Sequence, residues 1–137
     1  MSSEINMEKV SVNMNVSTLS QIDLLVDGGY YSNRSDFINQ AVREALRQQQ
    51  GVIDHLVDRH ERRAGGENNW FIGIYGITAK DVEEMYQQGA HESLTGYGVL
   101  HIAADCDEEK LFAAVERISV RGKVHASASI KAHYGIR

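Results

Sequence analysis

The sequence has no proline and only one cysteine, Cys106. Turns must therefore be built from Gly, Asn, Asp and Ser. A lone cysteine excludes an intrachain disulfide framework, and a cytoplasmic setting is expected. No apolar run is long enough to cross a bilayer. The N-terminal stretch MSSEINMEKV has no apolar core of the kind a signal peptide carries. Positive charge is not in excess: 14 Lys and Arg stand against 19 Asp and Glu, for a net charge of -5. Bulk attraction to nucleic acid is thereby excluded, and any such binding must use a local patch. Catalytic signatures are missing too. There is no glycine-rich phosphate loop and no nucleophile motif, so no enzymatic activity is expected. Cys106 as a nucleophile is opposed by its neighbours Asp105, Asp107, Glu108 and Glu109, which disfavour a thiolate.

What is present is a chain of 137 residues, 42% of them hydrophobic. That suffices for one ordinary domain or two small ones. Residues 9–15, KVSVNMN, alternate polar and apolar. They read as a strand with Val10, Val12 and Met14 on one face and Lys9, Ser11 and Asn13 on the other. A helix is expected from Ser17 or Thr18, with Thr18 and Gln21 at capping-box spacing. Leu19, Ile22, Leu25 and Val26 form its apolar stripe. Gly28-Gly29 stops it. A second helix is expected near Asn33, with Asp36 as capping partner and Ile38, Ala41, Val42, Ala45 and Leu46 as its buried face. Val52, Ile53, Leu56, Val57 and His60 then extend or repeat the helical pattern. AGGENN, residues 64–69, has linker composition.

After that linker, WFIGIYGI (Trp70–Ile77) reads as a strand buried on both faces. Thr78 and Asp81 are placed to open a helix. Residues 88–96 read as loop, with part of them open to a strand assignment. Tyr97–Ala104 reads as a strand. A helix opened by Asp107 is expected to run to Arg121-Gly122, and Val124–Ile130 to form the last strand. No internal repeat is evident. The order suggests an α+β chain whose C-terminal part is a small open sheet with helices on one face, ferredoxin-like or a reduced version of it.

A seven-residue strand with no sheet of its own needs a partner for its backbone groups. The cheapest partner is its own copy, paired antiparallel about a two-fold axis. That pairing would gather Lys9, Ser11 and Asn13 of both chains on one ribbon, which suits a DNA major groove. On pattern alone, a strand and two helices also fit many α+β domains. The turn GYYSNRSD, Gly29–Asp36, is more specific. With the strand and the Leu19/Ile22/Leu25 helix, it resembles the ribbon-helix-helix family of DNA-binding proteins. That resemblance implies base reading by Lys9, Ser11 and Asn13. It implies that Asn33, Arg34 and Ser35 hold the DNA backbone at a helix start.

The overall layout is similar to that of nickel-responsive repressors, whose C-terminal part is an ACT-like regulatory fold that joins two dimers. VRGKVH, Val120–His125, resembles that family's last helix-to-strand junction. The family's His-x-His pair is missing. His91, His101 and Cys106 are the nearest ligand types, and no metal is expected. Gly73, Gly76, Gly96 and Gly98 thin the side chains near strand ends. This leaves room for a small-molecule effector or simply for a tightly packed sheet. The expected organisation is residues 1–50 as a ribbon-helix-helix DNA-binding domain, 51–69 as an amphipathic helix and linker, and 70–137 as a regulatory or oligomerisation domain. The expected function is a transcriptional regulator, a repressor reading a palindromic operator as a homodimer or homotetramer. The alternative is a DNA-binding antitoxin or plasmid-maintenance protein whose C-terminal part binds a protein partner.

Overall fold

The computed structural model describes residues 7–63 and 68–137. The lead at residues 1–6 and most of the expected linker lie outside them. The elements in chain order are α1 (Val16–Asp27), α2 (Arg34–Gln48), α3 (Gln50–Arg63), β1 (Asn68–Ile77), α4 (Ala79–Gln87), β2 (Glu92–Ile102), α5 (Glu108–Ala114), β3 (Val115–His125) and α6 (Ala128–Tyr134). The fold is thus mixed α and β. The chain divides into two compact units, residues 9–58 and residues 59–137, with Glu8 joining the second through an ion pair to Lys123 at 3.2 Å.

In the first unit, Asn15 caps α1 by accepting the Ser17 N–H at 2.8 Å. The helix therefore starts before Thr18, and the Thr18/Gln21 box is not used. Gly28 closes α1, and Gly29 takes a positive φ of 84° in the turn that follows. Tyr31 packs edge-on against Phe37 at 4.9 Å, bracing the turn against α2. Of all the residues of α1, α2 and α3, only Ile22 is buried. Ile38, Val42 and Leu46, spaced by four along α2, stay exposed.

The second unit holds one three-stranded sheet in the order β1-β2-β3, parallel throughout. This differs from the expected ferredoxin-like, ACT-like arrangement. Each strand is followed by a helix that returns the chain to the same end, which is the connection a parallel pair requires. Thr78 and Asp81 form the expected reciprocal capping box at α4. Asp107 caps α5, and Ser127 caps α6. Val82 of α4, Leu111 of α5 and Ile130 of α6 pack with Phe71, Leu94, Leu100 and Val124 in one core. The helices therefore cover one face of the sheet. On the other face Ile72 and Ile74 are 60% and 54% exposed, so β1 is not buried on both sides as its sequence suggests.

Two further expectations fail here. The helix after Asp107 ends at Ala114, and Val120–His125 is the second half of β3 rather than a helix-to-strand junction. Ala128–Ile130 belongs to α6, not to a last strand. Leu111, Val115 and Ile118 share a helical spacing, yet β-branched Val115 and Ile118 already lie in β3, where such side chains suit the pleat.

Glycines mark a repeat that the sequence hides. Gly73 pairs with Gly98, and Gly98 with Gly122, so a strand–helix unit recurs about every 25 residues. All three have positive φ, 104°, 128° and 144°. A Cβ on Gly98 would lie 1.9 Å from the Gly73 carbonyl oxygen, and one on Gly122 1.9 Å from that of Gly98. Only glycine fits at Gly98 and Gly122. The second unit is therefore a short solenoid of three strand–helix turns.

Candidate nucleic-acid interface

Residues 7–15 precede α1 without forming a strand in the single chain. Among the described residues the expected strand at 9–15 has no partner, because their sheet consists of β1, β2 and β3. Its side chains are exposed on both sides of the alternation. Val10 and Val12 project as openly as Lys9, Ser11 and Asn13. An alternating segment whose apolar half meets solvent has a face still to be covered.

Asn33, Arg34 and Ser35 come together at the start of α2. Asn33 accepts the Asp36 N–H at 2.8 Å. The Asp36 carboxylate reaches back one residue further than a capping box would, accepting the Ser32 N–H at 3.0 Å. It also accepts from the Gln40 side chain at 2.9 Å. These bonds, the Ser32 N–H first, hold the Asp36 carboxyl below the usual carboxylate range. Asp36 so placed favours the positive end of the α2 dipole.

Arg34 is not a free cation. Its Nε donates to Asp23 Oδ1 at 2.7 Å and its Nη2 to Asp23 Oδ2 at 2.8 Å, a two-pronged fork between α2 and α1. The fork lowers the Asp23 carboxyl and raises the Arg34 guanidinium. Asp23 thus sits against the residue that the family resemblance assigns to the phosphate. No short-range spacing announces this pair, since the partners meet only when the α1–α2 turn closes. The fork leaves Nη1 outside it, and the Arg34 side chain is more than half exposed.

The residues considered for a metal do not gather. His91 precedes β2, His101 is on the open face of β2, and Cys106 is buried in the turn before α5. The nearest ring to His101 is that of His125, with centroids 6.1 Å apart. Burial, with Asp105 nearby, pushes the Cys106 thiol up. Among the described residues no group of three or more His, Cys, Asp or Glu could hold a metal ion. No helix among them is long and apolar enough to cross a membrane.

A sequence model of the ribbon-helix-helix transcriptional regulator family matches residues 5–131, covering both units. No curated protein and no solved structure matches the chain. With nearly its whole length matched, including the segment before α1 and the solenoid, the chain belongs to the ribbon-helix-helix transcriptional regulator family.

Proposed function

We propose that the protein is a DNA-binding repressor that reads a palindromic operator as a dimer of identical chains. The observation that carries this reading is the bareness of the first unit. One buried residue, Ile22, cannot hold three helices together, because a small unit needs most of its apolar surface removed from water to fold. Val10, Val12, Ile38, Val42 and Leu46 are the surface a second copy would cover. Pairing residues 9–15 of two chains satisfies their backbone groups and turns Val10, Val12 and Met14 inward. Lys9, Ser11 and Asn13 of both chains then share one face and read base edges in the major groove.

Asn33, Arg34 and Ser35 hold the DNA backbone. The open N–H groups at the start of α2 and the exposed part of Arg34 suit a phosphate. Asp23 aims the guanidinium. The solenoid unit joins two dimers, so that paired half-sites gain avidity. A folded, cored C-terminal unit favours this reading over an antitoxin, whose partner-binding segment orders only on its target.

Selection of bound sequences from a random duplex pool tests the proposal. A two-fold symmetric consensus is expected, and Lys9→Ala should lose it. Enrichment of no sequence at low salt would overturn the reading.

A further inference from the structure

The open face of the sheet changes character from strand to strand. One rung of the ladder carries Trp70, Thr95 and Ser119, and another carries Ile72, Tyr97 and Arg121. His60, near the end of α3, stacks on Trp70 with ring centroids 5.0 Å apart and 24° between planes. It meets Tyr97 edge-on at 5.8 Å. These rings wall an open cleft of about 250 Å³ whose polar lining is Thr95, Ser119 and Arg121.

We propose that this cleft binds a small planar ring compound bearing a carboxylate or phosphate group. The aromatic walls offer stacking and edge contacts to a flat ring. Arg121 offers a planar fork to an anion, and the two hydroxyls can add hydrogen bonds. Among the described residues no carboxylate lines the cleft, so their field favours negative charge. Lys123, next along β3 on the same face, is already paired with Glu8. Arg121 has no ion-pair partner among the described residues. The volume is below the usual range for drug-sized ligands, which limits the compound to one or two rings. A second copy docked face to face would bring another Arg121, a like charge, where an anion is wanted. The site rests on the second unit alone and is independent of the DNA-binding reading.

Trp70 is the one tryptophan in the chain, so its emission reports on the cleft directly. The full-length protein should be titrated with benzoate and with phenyl phosphate, the two separating carboxylate from phosphate as the anion. At least one should change Trp70 emission saturably, with one site per chain by calorimetry. Benzyl alcohol and inorganic phosphate, lacking the charge and the ring respectively, should bind about tenfold more weakly or worse. Arg121→Gln should cost about tenfold in affinity with the circular dichroism unchanged, whereas Lys123→Gln should leave affinity within about twofold. Failure of both ring anions to give a saturable change in the millimolar range would overturn the site. So would equal affinity in Arg121→Gln, or Trp70 emission that follows protein concentration and ignores both probes.

Discussion

Arg34 and Asp23 show how one pair of side chains can serve the fold and the proposed DNA contact together. An exposed ion pair adds little to stability by itself. Its fork geometry does more, because it fixes where the guanidinium points. The Asp23 carboxyl is depressed, so the pair's contribution is complete above the unfolded carboxylate value and fades only as pH falls through the lower folded one. At neutral pH the fork is closed. Arg34→Ala should therefore weaken binding to all duplexes alike and reduce the slope of log affinity against log salt by about one. Asp23→Asn removes a negative charge and should raise non-specific affinity at low salt while blurring operator discrimination. A salt titration of both variants against operator and random duplex checks the pair.

Lys9→Ala and Asn13→Ala belong to a different class. Each should cost about 1–3 kcal/mol on operator and leave random-duplex binding nearly untouched. Tyr134 supplies a contrast far from this surface. Its hydroxyl donates to the Val115 carbonyl at 2.7 Å, and burial pushes it up to about 12. A raised folded value means its contribution is complete below the unfolded value of about 10 and lost as pH climbs through 12. Alkaline unfolding of the second unit should begin in that window, and Tyr134→Phe should remove that part of the pH dependence. Residue-level signals were legible where they are local. Asn33, Thr78 and Asp107 cap helices as their spacing suggests. The Arg34–Asp23 fork was not legible, since no local pattern encodes a contact made across a turn.

At the scale of elements, the first half of the chain reads well and the last third does not. α1, α2 and α3 each carry an apolar stripe at helical spacing, with Asn15 and Gly28 bounding α1 and Asn33 opening α2. From Leu111 onward, helical and strand periods overlap. Val115 and Ile118 continue the helical stripe of α5 yet lie in β3. Ala126, Ala128 and Ile130 alternate like a strand, but Ser127 caps a helix there. The glycine stack gives a sharp stability test. Gly98→Ala drives a Cβ into the Gly73 carbonyl and should cost upwards of about 3 kcal/mol, enough to unfold the solenoid. Gly73→Ala meets nothing within 4 Å and pays only for its positive φ, so about 1–2 kcal/mol is expected. Thermal unfolding of the two variants should rank them in that order.

The exposed stripe of α2 is testable in the same way. Val42 is 49% exposed in the single chain, where an Asp substitution would shift stability by about 0.5 kcal/mol or less. Covered by a second copy, the same Val42→Asp would bury an unpaired carboxylate and cost several kcal/mol, separating the subunits.

For the whole molecule, two properties pull in opposite directions. The net charge of -5 repels DNA at long range, while the family architecture calls for contact with it. The proposed dimer reconciles them locally: doubling the chain would double the small set of Lys9, Ser11, Asn13 and Arg34 that meets DNA, so contact would rest on that patch and not on net charge. The parallel solenoid was beyond reach of the sequence because its repeat rests on a glycine and a few aliphatics per turn. The connections also differ in length, with one residue between β1 and α4, five between β2 and α5 and two between β3 and α6. The bareness of the first unit, by contrast, is foreshadowed by a strand that has no sheet to join.

Sedimentation equilibrium of the purified chain, at micromolar concentration without DNA, tests the central claim most directly. One chain weighs 15.3 kDa. The account predicts a folded species of two or four chains and none of one. A stable, folded species at the mass of a single chain would contradict it.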